Sequence, residues 1–239
     1  MTNYVVLGHL GLGDHILCNG IYRHYSELAE KVVIPVKKSN LLSLQMMLYD
    51  CKNVEFFYLD DTTNPRQLLE LINYIFGNTH EIVKLGYFGR NFLINPESNY
   101  DESFYLQANV PFVKRWEDFK FSYNEENSKT IYNETLQEYG YLFVHDDKAR
   151  NFNILDTKTG TQIPRISPDP SKSHLYSVFD YFHLIKNAKE IHCIESSFAA
   201  FIDSIEVQGK LVCHRYARPE TYENKQLAFT YRKPWSVLI

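Results

Sequence analysis

A glycine-rich loop that ends in a carboxylate follows the first apolar segment of the chain. Residues 4–7 read Tyr-Val-Val-Leu, and residues 8–14 read Gly-His-Leu-Gly-Leu-Gly-Asp. Glycines let a ligand approach the backbone closely, and a helix that starts after such a loop offers unpaired N–H groups to an anion. Asp14 therefore has two interpretations. It is either a general base that faces a ligand or the N-cap of the following helix.

The same loop lacks two well-known nucleotide-binding patterns. A dinucleotide fingerprint requires Gly-x-Gly-x-x-Gly, but Gly11 and Gly13 are followed by Ile16 at the position of the third glycine. A Walker A loop requires Gly-Lys-Ser/Thr, and that pattern does not follow here. The loop therefore indicates neither a typical dinucleotide-binding protein nor a P-loop NTPase.

A second polar segment combines a carboxylate with two hydroxyls. Glu195, Ser196 and Ser197 follow the predicted strand 191–194 and precede a predicted helix. Hydroxyl groups and the N–H groups of a helix N-terminus suit the oxygens of a diphosphate. The alternative is that these serines only cap the helix.

The elements that must position these segments alternate between strand and helix. In the first half, hydrophobic patterning predicts helices between strands at residues 4–7, 32–36, 54–59 and 81–85. The second half repeats the alternation, with strands predicted at residues 141–145, 191–194 and 210–213. Such repeats predict an α/β fold with parallel sheets, in which ligands bind beyond the carboxyl ends of the strands.

The pattern is also typical of two domains. A polar segment at residues 124–128 separates the two alternating halves. We therefore predict Rossmann-like domains at residues 1–125 and 126–239, with a linker at that polar segment.

The composition excludes several classes of protein. The 239 residues are 44% hydrophobic and 23% charged, which excludes wholesale disorder. The chain has 25 Lys and Arg residues against 29 Asp and Glu residues, and the net charge of −4 argues against a nucleic-acid-binding surface. No apolar run is long enough for a transmembrane segment, and we see no signal-peptide pattern. The four cysteines are scattered, so we expect a cytoplasmic protein with reduced thiols.

The first loop also resembles the opening of a known family. Residues 11–17 read Gly-Leu-Gly-Asp-His-Ile-Leu, and residues 20–23 read Gly-Ile-Tyr-Arg. This combination is similar to the start of the heptosyltransferase-type GT-B glycosyltransferases. The resemblance implies two Rossmann-like domains that face a cleft. It also implies that Asp14 is the general base that deprotonates an acceptor hydroxyl.

The segment at residues 195–200 resembles the donor-binding segment of the same class, with departures. Glu195 replaces the usual aspartate, Ser197 replaces a glycine, and Ala200 occupies the position of a histidine. The resemblance implies that a nucleotide sugar is the donor. It places Glu195, Ser196 and Ser197 among the donor-binding residues. We expect the backbone of Gly11 and Gly13 to contact the donor as well. The departures put the donor identity in question.

Two further loops acquire roles from this resemblance. A basic residue after the first strand of the second domain would neutralise the donor diphosphate. Arg150 is our first candidate, because its planar guanidinium matches phosphate oxygens, and Lys148 is the second. His145 lies at the end of the strand, also on the donor side. After residue 85, Tyr87 and Arg90 would contact the acceptor, a glycan or glycoconjugate. The alternative for both loops is an ordinary surface turn. We expect no metal and no cofactor apart from the donor substrate.

Three functions remain open from the sequence. The first is an inverting, metal-independent transfer of a sugar from a nucleotide donor to a hydroxyl. The second is a nucleotide- or S-adenosylmethionine-dependent enzyme, but its ribose-binding acidic residue is missing where Lys37 and Lys38 follow the second strand. The third is a non-catalytic carbohydrate- or nucleotide-binding protein of glycosyltransferase descent.

Overall fold

The computed structural model describes residues 2–89, 99–135, 140–156, 163–218 and 229–239. The chain divides into two units, Met1–Ser122 and Tyr123–Ile239. Arg90 lies outside the described residues.

The first unit contains a parallel sheet with the strand order β3-β2-β1-β4. The strands are β1 (Tyr4–Leu7), β2 (Val32–Lys37), β3 (Val54–Leu59) and β4 (Glu81–Lys84). The helices of this unit are α1 (Leu12–Leu17), α2 (Asn19–Leu28), α3 (Leu41–Met47), α4 (Pro65–Phe76), α5 (Tyr100–Gln107) and α6 (Lys114–Glu117). Because β1 and β4 are parallel neighbours, and Leu7 pairs with Lys84, the loops that follow them lie side by side.

The core of this unit forms where apolar strand residues meet helix α4. Val5, Leu7 and Val33 pack with Leu68 and Ile72, and all five side chains are buried. β-Branched residues suit parallel strands that are covered on both faces. This packing holds the carboxyl end of β1, where the glycine-rich loop begins.

The first helical region is divided, although the sequence predicts one helix over residues 16–30. α1 starts four residues earlier than that prediction, at Leu12, and Cys18 separates it from α2. The Asn19 side chain donates to the carbonyls of Ile16 and Arg115, at 2.9 Å each. A Cβ on Gly20 would lie 2.3 Å from the Lys114 carbonyl, so α2 approaches α6 closely. These interactions, two of them with residues distant in sequence, favour a break that periodicity does not reveal.

The second unit contains another parallel sheet, with the strand order β6-β5-β7-β8-β9. The strands are β5 (Leu142–His145), β6 (Arg165–Ile166), β7 (Glu190–Cys193), β8 (Lys210–His214) and β9 (Ser236–Leu238). The helices are α7 (Glu125–Asn133), α8 (Phe182–Lys186) and α9 (Ser197–Ser204), and short 3-10 turns connect several of them. Leu142, Val144 and Ile194 form part of the buried core.

The predicted linker at residues 124–128 is wrong. Those residues begin α7, where the Asn124 side chain accepts a hydrogen bond from the Asn127 N–H at 3.0 Å. Asn followed by two glutamates is a good helix start, because the side chain caps and the negative charges favour the N-terminal dipole. Polarity here marks a helix cap instead of a flexible segment.

Two short strands, β6 and β9, were not predicted. β9 follows a segment that Asp203 holds in place. The Asp203 carboxylate accepts from the backbone N–H groups of Arg232 and Lys233 and from Trp235 Nε1, at 3.0–3.2 Å. Strands of two or three residues lack a readable period. Within the described residues, no helix is long and apolar enough to cross a membrane.

Candidate active site

Asp14 lies in the first turn of α1, directly beyond the carboxyl end of β1. The N-cap of this helix is Gly11, which contributes no side-chain cap. The interpretation of Asp14 as the N-cap is therefore wrong. Its negative charge still favours the helix N-terminus, but the partly exposed carboxylate has other contacts.

The Asp14 carboxylate lies against the backbone of Gly11. A Cβ added to Gly11 would lie 2.5 Å from Asp14 Oδ2, so the carboxylate would have to shift to make room for it. The backbone at Gly11 has φ −71° and ψ 142°, which other residues adopt easily. Glycine at this position therefore leaves the carboxylate its place and is not needed for the backbone conformation.

Two aromatic residues that the sequence analysis did not select complete the surroundings of Asp14. The Tyr100 hydroxyl, at the start of α5, faces the Asp14 carboxylate, and a hydrogen bond between the two contributes to the raised pKa of Tyr100. His9 Nδ1 contacts the same hydroxyl, and its Nε2 accepts from the Tyr87 N–H at 3.0 Å. The His9 ring stacks on Tyr87, with 4.2 Å between ring centroids. The position of His9 within the glycine-rich loop could have indicated its place in the site. No feature of the sequence around Tyr100 indicates such a place.

Burial sets the protonation of both residues. It lowers the pKa of His9 to about 4, so the imidazole is neutral near pH 7. Burial, and then the nearby Asp14 charge, raises the pKa of Tyr100 well above its usual value. Tyr100 therefore remains protonated and donates its hydrogen bond.

Gly86 brings the loop after β4 against His9. Its φ of +61° lies in the left-handed region that favours glycine. A Cβ at this position would also lie 2.3 Å from His9 Nε2. The Gln107 side chain accepts from the Gly86 N–H at 2.6 Å, which joins the loop to the end of α5. The next residue, Tyr87, has a side chain that is 67% exposed, and its predicted acceptor role stays a prediction.

In the second unit, Ser196 is the N-cap of α9. Its hydroxyl accepts from the Ala199 N–H at 3.5 Å and lies 3.0 Å from His145 Nδ1. Burial lowers the pKa of His145 to about 4, and its ring packs on Phe198 at 4.4 Å between centroids. Ser197 begins the helix and is half-buried. His145 and the two serines thus lie together at the carboxyl edge of β5 and β7, as the neighbouring strands require.

Glu195 is fully buried and belongs to an arginine cluster. Its Oε1 accepts from Arg215 at 3.0 Å, from the Phe229 N–H at 3.3 Å and from the Tyr231 hydroxyl at 3.3 Å. Arg218 donates to the Glu195 carbonyl at 2.5 Å. Arg215 and Arg218 were missed by the sequence analysis. Their position after β8, the neighbour of β7, brings positive charge to this edge of the sheet.

The two predicted phosphate ligands differ in their surroundings. Arg150 Nε forms an ion pair with Asp147 at 2.7 Å, and its guanidinium lies 5.2 Å from the Phe152 ring centroid. Lys148 is exposed and makes no ion pair with the residues that the structure describes. Among the same residues, no group of three or more His, Cys, Asp or Glu side chains could hold a metal ion.

Comparison with solved structures identifies the fold. No family model and no curated protein sequence matches the chain. A glycosyl transferase family 9 structure from Veillonella parvula DSM 2008 aligns with a TM-score of 0.62 and 11% identity, over 99% of this chain and 86% of that one. The E. coli heptosyltransferase WaaC with ADP aligns with a TM-score of 0.50 and 10% identity, over 99% and 92%.

A third match is the glycosyltransferase TibC from enterotoxigenic E. coli H10407, with a TM-score of 0.50 and 8% identity. This chain is covered to 98% in that match but spans only 64% of the TibC chain. These similarities show that the protein has the fold of the heptosyltransferase-like GT-B glycosyltransferases, as its two sequence motifs predict.

Proposed function

We propose that the protein is a glycosyltransferase that moves a sugar from a nucleotide-sugar donor to a hydroxyl of a glycan or glycoconjugate. The observation that carries the proposal is the Asp14 carboxylate. It lies at the carboxyl end of a central parallel strand, where this fold class binds ligands. It is partly exposed and held by a neutral tyrosine.

In the proposed reaction, Asp14 takes the proton of the acceptor hydroxyl as its oxygen attacks the anomeric carbon of the donor. The bond between that carbon and the diphosphate oxygen breaks, and a nucleoside diphosphate leaves with the electron pair. Attack opposite the leaving group inverts the anomeric configuration. We propose no metal for this step, and no cofactor beyond the donor.

We propose that residues of the second unit bind the donor. The α9 N-terminus with Ser196 and Ser197, together with Lys148 and Arg150, would stabilise the negative charge that develops on the diphosphate. His145 presents a neutral ring at the same edge. We propose that Glu195 contributes to donor binding through the arginines that it contacts. Gly11 and Gly13 are proposed to contact the donor through their backbone.

The solved structures support this class of donor. WaaC has been solved with ADP and with ADP-2-deoxy-2-fluoro heptose, and TibC with ADP-D-beta-D-heptose. On the acceptor side we propose Tyr87, whose exposed ring can pack on a sugar face, and Arg90. A reaction that consumes a nucleotide sugar also fits the cytoplasmic location that we propose, which cell fractionation can test.

The proposal is tested first by calorimetry against ADP, UDP, GDP, CDP and their sugar conjugates, with S-adenosylmethionine included. Nucleotide-sugar binding is then followed by assays for nucleoside diphosphate release with simple glycosides as acceptors. We expect transfer that persists in EDTA and a product with inverted configuration by NMR.

The decisive variant is Asp14→Asn, which is nearly the same size and cannot accept the proton. General-base catalysis contributes about 10²–10⁴-fold, so turnover should fall by that factor while nucleotide binding remains within about twofold. Full turnover in this variant would contradict the role of Asp14. No binding of any nucleotide would favour a non-catalytic protein, and preference for S-adenosylmethionine would favour a different Rossmann-type enzyme.

A further inference from the structure

Three separate parts of the first unit meet at His9 beside Asp14: the loop after β1, the loop after β4 and the start of α5. From this geometry we infer that Tyr100, oriented by His9, is a positioning residue that fixes the Asp14 carboxylate and keeps it ionised. The inference rests on the proposed function, because it assigns a task to residues beside the proposed base. It concerns a chain of hydrogen bonds that runs from the backbone of Tyr87 to the carboxylate.

The direction of this chain follows from its fixed end. The Tyr87 N–H can only donate, so His9 Nε2 must accept at 3.0 Å and carries no proton. A neutral imidazole then has its proton on Nδ1, which faces the Tyr100 hydroxyl. Because that oxygen receives the Nδ1 proton, its own hydrogen is directed to Asp14. Every donor in this series of hydrogen bonds therefore meets one acceptor.

The hydroxyl is held rigidly enough to perform this task. Tyr100 is 9% exposed, and its ring packs against Phe104 at 4.7 Å between centroids. It occupies the first turn of α5, where Asn99 and Glu102 form a reciprocal capping box. On the other side, the Asn40 amide donates to the Leu10 carbonyl at 2.9 Å and restrains the glycine-rich loop.

Burial shifts three other titratable side chains near the carboxylate toward their uncharged forms. Burial, and then the Asp14 charge, raises the pKa of the Cys18 thiol, and burial raises that of Tyr22 with Asp14 contributing. Burial lowers the pKa of His15 to about 3, with His9 contributing. These groups are neutral near pH 7. The hydrogen bond that Tyr100 donates favours the ionised form of Asp14.

The test substitutes Tyr100→Phe, which keeps the ring and removes the hydroxyl. Tyr105→Phe is the matched control, because Tyr105 is also buried on α5 and donates to a backbone carbonyl, that of Leu17, at 2.9 Å. The first readout needs no substrate: the Asp14 carboxyl is titrated by carbon-13 NMR, with its signal assigned by its loss in Asp14→Asn. We expect its pKa to rise by about one unit in Tyr100→Phe and to stay unchanged in Tyr105→Phe.

The second readout is the pH profile of kcat/KM in the transfer assay. Its acid limb should move upward by the same unit in Tyr100→Phe, and kcat should fall about tenfold at the optimum while KM for the donor is retained. His9→Phe, which keeps a ring against Tyr87, should shift the Asp14 pKa in the same direction by a smaller amount.

The outcomes separate the two proposals. If the wild-type chain shows no transfer but Tyr100→Phe still raises the Asp14 pKa, the positioning contact stands and the proposed function fails. If the wild-type chain transfers sugar and Tyr100→Phe changes neither the Asp14 pKa nor the acid limb, the inference is overturned. Equal losses in Tyr100→Phe and Tyr105→Phe, without a pKa change, would also overturn it, since they would reveal only a structural role.

Discussion

His192 Nδ1 lies 2.8 Å from His214 Nε2, so the two histidines join neighbouring strands β7 and β8 within the core of the second unit. Both residues are buried, with 2% and 0% of their surfaces exposed. Further hydrogen bonds join His192 to Glu190 at 3.2 Å and His214 to the Tyr216 hydroxyl at 3.1 Å. One proton between the two rings satisfies both, and a second proton would place two N–H groups face to face.

The first prediction is that this pair makes the second unit sensitive to acid. Burial, and then the neighbouring His192, lowers the pKa of His214 from 6.5 to about 4, and burial also lowers that of His192. The unfolded chain therefore binds more protons below pH 6.5, and stability present above that pH is lost as the pH falls toward 4. We expect the free energy of unfolding to decrease by about 2 kcal/mol between pH 7 and pH 5.

Urea unfolding at pH 7 and pH 5 measures this effect. His214→Gln should reduce the pH dependence, whereas His174→Gln, at an exposed site in the same unit, should leave it unchanged. Parallel pH profiles for wild type and His214→Gln would contradict the prediction.

The second prediction concerns the two glycines that flank the neighbouring strand ends. Gly86→Ala should destabilise the first unit by about 1–2 kcal/mol, because alanine is strained at its φ of +61°. The new methyl group would also displace His9, whose Nε2 lies 2.3 Å from the Cβ position. We expect transfer to fall, and we expect the Asp14 pKa to rise in the same direction as expected for Tyr100→Phe.

Gly8→Ala is the control for this substitution. A Cβ at Gly8 meets only the Leu85 side chain at 3.8 Å, an ordinary contact distance. Thermal unfolding and turnover should therefore remain close to those of the wild type. Equal damage from both substitutions would show that neither loop tolerates an added methyl group, and that His9 has no special part in the loss.

The third prediction separates function from stability at Gly11. Gly11→Ala adopts φ −71° and ψ 142° without strain, but its Cβ would lie 2.5 Å from Asp14 Oδ2. The carboxylate must move, and misplacement of a catalytic group by about 1 Å costs roughly 10²-fold in rate. Circular dichroism and the unfolding midpoint should be unchanged while turnover falls by that factor. Retained turnover would show that Asp14 need not lie over this glycine.

The sequence predicts the regular elements of this fold better than the contacts between them. β1 and β3 have the predicted bounds, because each is a mainly apolar segment that ends at glycine or at paired aspartates. The contact of His9 with Tyr100 joins residues 91 positions apart. It depends on the placement of β4 beside β1 and of α5 beside both loops. No local period encodes that placement.

The same reason explains the arginine cluster. Glu195 is recognisable as an unusual acidic residue at a strand end, but its ion pair with Arg215 exists because β8 pairs with β7 in parallel register. The break at Cys18 likewise depends on Asn19 reaching the Arg115 carbonyl, 96 positions away. The order of the strands and the length of the side chains therefore decide which candidate residues meet the partners that the proposed chemistry needs.

The final prediction ranks the two cations proposed for the donor diphosphate. The guanidinium of Arg150 is already paired with Asp147, whose side chain also accepts from the Arg150 N–H at 3.1 Å. A phosphate would have to compete with that carboxylate. Lys148 is exposed and has no such partner among the described residues, so its charge is the more available of the two.

We therefore expect Lys148→Ala to weaken nucleoside diphosphate binding about tenfold, the effect of one charge-assisted hydrogen bond, and Arg150→Ala to weaken it less than threefold. Lys186→Ala, which removes the same charge from exposed Lys186 of α8, is the control and should leave the Kd unchanged. Calorimetry at two salt concentrations measures all three, and the Lys148 effect should shrink at the higher one because added ions screen the charge. A larger loss for Arg150→Ala would mean that the diphosphate displaces Asp147, and it would reverse the ranking.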